Sequence, residues 1–99
     1  MLAVIIEFEI NAGMEEETES ISEFLATKLE GMDGFISADA ASSLGLENVL
    51  YELSFWRDEA ALEAWAKHPD HLAAKAKGRA HLFKWYRIRV ATVTRDWGS

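Results

Sequence analysis

Leu2, Val4, Ile6, Phe8 and Ile10 alternate with Ala3, Ile5, Glu7 and Glu9. A two-residue period with one side wholly apolar marks a strand. The next segments fit a cover for that side. After a break at Asn11-Ala12-Gly13, Met14, Ile21, Phe24, Leu25, Leu29 and Met32 recur at three- and four-residue steps. That spacing predicts an amphipathic helix, begun by the acidic turn Glu15-Glu16-Glu17 and closed at Gly31 and Gly34. Residues 35–44, rich in Ala and Ser, read as a weaker strand at an edge or beside a cavity. Gly45-Leu46-Glu47-Asn48 is a turn. A clear strand comes next, with Val49, Tyr51, Leu53 and Phe55 on one side and Leu50, Glu52, Ser54 and Trp56 on the other.

Asp58 is placed as the N-cap of a short helix that buries Leu62 and Trp65. Pro69 starts another helical turn, with Gly78 as its stop. Residues 81–95 read as one long last strand, with Leu82, Tyr86, Ile88 and Val90 on one side. The order β-α-β-β-α-β is the split βαβ pattern of an α+β, ferredoxin-like fold. Its antiparallel sheet has the first strand between the third and fourth, and helices on one face. On this reading the wholly apolar strand sides face the helices. The opposite sides carry Glu7, Glu9, Glu52, Arg87 and Arg89 among Ile5, Leu50, Trp56, Phe83, Trp85 and Val93. Acids on the middle strand then pair across to arginines on the last.

Ninety-nine residues make a single domain, 1–99. The chain is 49% hydrophobic and holds four tryptophans, two tyrosines and five phenylalanines. That is generous for its size. A second copy packed sheet against sheet, a homodimer, is the expected cover for the mixed open face. A net charge of -7 argues against nucleic acid or an anionic membrane surface as the main partner. No cysteine is present, no apolar run is long enough to span a bilayer, and the N-terminus lacks the marks of a signal peptide. The expected location is cytoplasmic.

The segments LSFWRDEAALEAW (53–65), HPDHLAAKAKGR (68–79) and YRIRVATVTRDWG (86–98) resemble the antibiotic biosynthesis monooxygenase (ABM) domain family of the dimeric α+β barrel superfamily. GFISADAASSL (34–44) adds a looser match. The resemblance implies a homodimer whose sheets form a barrel, with a pocket between sheet and helices in each subunit. It implies oxidation of polycyclic phenols to quinones by oxygen, with no metal, flavin or other cofactor. The tryptophan that ends the family's third strand is Trp56. Where the quinone-forming relatives carry asparagine four residues earlier, this chain has Glu52. Where they carry arginine on the helix after the proline, it has Lys75. The histidine and asparagine that haem-cleaving relatives require are absent: Lys75 is on the helix, and Glu7 and Phe8 are on strand one. Haem cleavage is not expected.

Six residues stand out as candidates for a site. His71 matches the family's recurrent histidine and titrates near neutrality, so it is read as an acid-base group or as a structural hydrogen-bonding residue. Glu52 is read as a buried base or as a cross-strand partner of Arg87 or Arg89. Trp56 is a pocket wall or a core or interface residue, Trp65 is chiefly core, and Tyr86 and Lys75 complete the expected pocket. His68 and His71 lack the acid and histidine partners of a metal site. His81 is placed at a strand entrance, and Arg79 is read as a cap-region residue. Two functions stand at this point. One is a cofactor-independent monooxygenase acting on a small aromatic or quinol-like compound. The alternative is a non-catalytic dimeric module that binds a small hydrophobic molecule or a partner.

Overall fold

The computed structural model describes residues 1–99. In chain order it consists of β1 (Leu2–Ile10), α1 (Glu15–Leu29), β2 (Phe35–Ser42), β3 (Val49–Trp56), α2 (Glu59–Ala66), α3 (Pro69–Lys77), a π-helical turn (Gly78–Leu82) and β4 (Phe83–Thr92). The sheet is wholly antiparallel, in the order β2-β3-β1-β4. The Ala- and Ser-rich β2 is an edge strand, as its small side chains suggest.

Leu2, Val4, Trp56, Ala61 and Trp65 form the buried core, with Ile6, Leu25, Leu29, Met32, Phe35 and Leu62 packed around it. Both α1 and α2 therefore cover the same apolar side of β1. The Asp58 carboxylate caps α2 by accepting from the Ala61 N–H at 3.0 Å. Pro69 opens α3 at its first turn, where a missing N–H costs nothing. Arg57 ties the entry to α2 down by donating to both Asp33 oxygens, at 2.9 and 3.1 Å. Gly34 allows α2 to come close. Its φ is +82°, and a Cβ there would lie 2.3 Å from that of Ala61.

Four expectations are corrected. The first concerns β3, whose register pairs Leu2 with Trp56, Val4 with Ser54, Ile6 with Glu52 and Phe8 with Leu50. Directly opposed residues share a face, so Leu50, Glu52, Ser54 and Trp56 look toward the helices, and Tyr51, Leu53 and Phe55 look away. Trp56 seals the core there at 1% exposure.

The second is the extent of the last strand. It begins at Phe83 rather than residue 81, because His81 and Leu82 finish the π-helical turn. A register shift at Glu9/Ile10 also brings Phe83 onto the helix side, with its ring 4.6 Å from that of Phe8. The third is Gly78, which does not stop the helix in a left-handed conformation. Its φ is -56°, and the chain runs through it into the π turn. Its lack of a side chain matters because a Cβ would meet the Phe83 ring at 2.8 Å. The fourth is Phe24, which turns outward beneath the Lys28 ammonium, 5.2 Å from its ring centre.

On the open sheet face Glu7 pairs with Arg89. Glu9 lies 3.6 Å from the Lys84 ammonium and accepts from the Trp85 indole N–H at 3.2 Å. Leu53 and Trp85 on that face are each 40% exposed.

Candidate functional site

Between α1, α3 and the helix side of the sheet lies a cavity of about 150 Å³. Its apolar wall comes from β1 (Ile6, Phe8), α1 (Ile21, Leu25) and the run from Leu82 to Ile88. Polar groups enter from three sides. Thr18 and Ser22 come from α1, Glu52 from β3, and His71, Lys75, Arg79 and Tyr86 from α3, the π turn and β4. A mostly apolar wall with a few convergent polar groups is the usual make-up of a small-molecule site.

Glu52 reaches this place because it stands opposite Ile6 in the sheet. Its Oε1 accepts a hydrogen bond from the Ser22 hydroxyl at 3.3 Å. Burial raises its pKa above the ordinary carboxyl value, and the Ser22 bond offsets this in part. The expected pairing with Arg87 or Arg89 does not form: Glu52 is on the helix side, and Arg89 is engaged by Glu7 on the other.

His71 sits in the first turns of α3, its ring 5.0 Å from that of Trp65. Its Nδ1 is buried without a hydrogen-bond partner. Burial lowers its pKa, and nearby Lys75 and His68 add to the effect, while a hydrogen bond with the Ala66 backbone opposes it. The ring is therefore neutral at pH 7. The nearby His68 has a structural task, its Nδ1 accepting from the Asp70 N–H at 3.1 Å at the start of α3.

His71, Lys75 and Arg79 recur at four-residue steps, and all three line the cavity. The π turn carries Arg79, whose Nε donates to the Tyr86 hydroxyl at 3.0 Å. Such turns are often found at functional sites. Sequence reasoning misses Arg79 as a cavity residue, although the four-residue spacing from His71 through Lys75 is an available signal. It also misses Ser22, for which no local signal exists.

Trp56 and Trp65 do not line the cavity. Trp56 is buried between Phe35, 5.3 Å away, and Trp65, 6.5 Å away, and its indole N–H donates to Ser54 at 3.0 Å. Trp65 backs the His71 ring. The aromatic surfaces on the cavity wall are Phe8, Phe83 and Tyr86 instead. His81 is in the π turn, with Nε2 3.2 Å from the Glu17 carboxylate.

An open groove of about 610 Å³ adjoins the cavity toward the β2–β3 turn. The two share Phe8, Thr18, Ser22 and Glu52, so Glu52 stands on the wall common to both. Glu15, Glu19 and Glu47 line the groove, which gives it an acidic rim.

Residues 1–77 match the family described as antibiotic biosynthesis monooxygenase. A protein of Pyricularia oryzae named jasmonate monooxygenase ABM is 35% identical over 94 residues, which is 95% of this chain and 44% of that protein. The uncharacterized protein YqjZ of Bacillus subtilis is 36% identical over 67 residues, 62% of this chain and 59% of that protein. The chain thus spans about half the length of these curated relatives. Among solved structures, SnoaB, a cofactor-independent oxygenase from Streptomyces nogalater, superposes with a TM-score of 0.82 at 17% identity, covering 99% of this chain and 97% of that one. At that identity the likeness concerns the fold.

Proposed function

Because the chain belongs to the antibiotic biosynthesis monooxygenase family, we propose that it is a cofactor-independent monooxygenase acting on a small aromatic or quinol-like compound. The observation that carries this reading is one small, mainly apolar cavity walled by two proton acceptors of different kinds. One is the Glu52 carboxyl and the other the neutral His71 ring. The name jasmonate monooxygenase, carried by a relative, and cofactor-independent oxygenase, carried by a structural neighbour, are in line with it.

The chemistry needs few parts. A substrate with an acidic C–H or O–H, once deprotonated, is electron-rich enough to give an electron to molecular oxygen. The resulting pair recombines to a hydroperoxide, which loses water. The net change at a methylene is CH₂ + O₂ → C=O + H₂O, with one oxygen atom retained in the substrate and the other released as water. The protein's part is to take the first proton, steady the anion and keep water out. His71 or Glu52 takes the proton, and the Lys75 and Arg79 charges steady the anion. An engineered apolar cavity of about 150 Å³ holds a benzene ring, so this one suits a single ring better than a fused polycycle.

In this proposal residues 1–99 are one domain working as a homodimer. Its support is the open sheet face, on which Leu53 and Trp85 are each 40% exposed. No helix is long and apolar enough to cross a membrane.

Oxygen uptake tests the proposal. Chelator-treated, flavin-free protein is offered a panel of monocyclic quinols and anthrone-type phenols. Catalysed uptake that yields a product with one oxygen atom gained, the other being released as water rather than hydrogen peroxide, supports it. Saturable binding of such compounds without uptake, across pH and oxygen levels, contradicts it and favours the non-catalytic module.

A further inference from the structure

Lys28, Arg57, Lys67, Lys84 and Arg89 each pair with a carboxylate within the chain. Lys75, Lys77, Arg79, Arg87 and Arg95 do not, and of these five only Lys75 and Arg79 line the cavity of a protein whose net charge is -7. These two stand one helical turn apart on the rim of the cavity. Arg79 uses Nε on the Tyr86 hydroxyl and makes no other hydrogen bond within the chain. Its two terminal nitrogens are thus free to form the planar double hydrogen bond that suits a carboxylate. The Tyr86 oxygen accepts from Arg79, which leaves its own proton to donate. At the other end the charge is reversed: Glu15, Glu19 and Glu47 rim the open groove and repel an anion approaching from that side.

We propose that Arg79, Tyr86 and Lys75 form a carboxylate-binding subsite, so that the ligand of this cavity is a one-ring organic acid. The ring occupies the apolar interior and the carboxylate is held at the rim. The size of the cavity supports the single ring. The pattern of unpaired positive charge supports the acid and sets the direction of entry, past Tyr86 rather than along the acidic groove. Such an anchor leaves the far side of the ring facing Glu52 and His71. The proposal deepens the oxygenase reading by naming its substrate class, but it concerns binding and stands or falls without turnover.

Titration calorimetry with phenylacetate and its neutral analogue phenylacetamide tests it. The wild-type protein is expected to bind the acid about tenfold more tightly at low ionic strength. Raising the salt to about 0.5 M should reduce the preference. Arg79→Gln should bring the two affinities within about threefold of each other, and Tyr86→Phe should narrow the gap in part. Lys67→Gln removes an exposed positive charge paired with Glu63, remote from the cavity lining, and should leave the preference unchanged. Equal affinities in the wild type would overturn the proposal, as would a preference that survives Arg79→Gln. So would the absence of saturable binding of phenylacetate, cyclopentylacetate and 3-phenylpropionate up to about 10 mM. A protein that binds the acids but takes up no oxygen with any substrate would keep this subsite and lose the oxygenase reading.

Discussion

The Ser22 hydroxyl of α1 donates to the Glu52 carboxyl of β3 at 3.3 Å, across the wall shared by the cavity and the adjoining groove. This one bond only partly offsets the loss of water around a carboxylate placed between a sheet and a helix. The folded-state pKa of Glu52 is therefore above its unfolded value, and folding is disfavoured once the group ionises.

Glu52→Gln keeps the shape and removes the charge. Its melting temperature should exceed that of the wild type by a few degrees at pH 8. The difference should shrink as the pH falls and vanish below the unfolded carboxyl value of 4.5, where both states are protonated. Thermal unfolding across pH measures this. A variant less stable than wild type at pH 8 would mean that the carboxylate has a partner of greater worth than Ser22.

Trp56→Ala should act on stability rather than on ligand binding. The side chain is 1% exposed and contacts Phe35 and Trp65, so its loss leaves a core void that costs about 3–5 kcal/mol. Trp56→Phe, which keeps an aromatic ring, should retain the fold and bind cavity ligands nearly as well as wild type. Denaturant unfolding and calorimetry together distinguish the two effects.

Gly78→Ala tests the close approach behind the π turn. A helical Gly→Ala change ordinarily stabilises by about 1 kcal/mol. Here the new Cβ meets the Phe83 ring at 2.8 Å, and that ring is held against Phe8. Overpacking should reverse the sign and give a net loss of about 1 kcal/mol. The displaced turn should also weaken ligand affinity, since it carries Arg79, which is bonded to Tyr86. A variant more stable than wild type would show that Phe83 yields freely.

Much of this fold is legible in the sequence because its signals are local. The alternation of β1, the Asp58 cap and Pro69 at the start of α3 each fix a boundary within a few residues. The facing of β3 is not legible, because both of its sides are largely apolar: Tyr51, Leu53 and Phe55 compete with Leu50 and Trp56. Only the register against β1 decides between them. One consequence is the mistaken pairing of Glu52 with the last-strand arginines. The bulge that turns Phe83 inward is likewise a property of two strands together. As for the site, His71, Glu52, Lys75 and Tyr86 stand out in the sequence and do converge on one cavity. The tryptophans suggest a pocket wall by their size and aromaticity, which serve a core equally well. Arg79 escapes notice because the glycine before it suggests a helix stop rather than a continuing turn.

The pH dependence of turnover should identify the base. Burial holds the pKa of His71 below its ordinary 6.5, and its proton-accepting form exists above that lowered value. If His71 takes the proton, kcat/KM should rise with pH to a plateau with its midpoint below 6.5, and His71→Ala should remove that limb. Stability should change in the same sense. The unfolded histidine binds protons more readily, so the wild type loses stability as the pH drops through 6.5, and His71→Ala should flatten that loss.

Whether this cavity performs oxygenation with protein groups alone is decided by measuring oxygen uptake in parallel for wild type, Glu52→Gln and His71→Ala. The proteins are chelator-treated and flavin-free, and the substrate is a one-ring quinol acid in oxygen-18 gas. The expected result is one labelled oxygen per product molecule, the other in water, and a fall in kcat of about a hundredfold or more in at least one variant with affinity little changed. Uptake that proceeds equally in all three proteins, or no uptake by a wild type that binds the substrate, would contradict it.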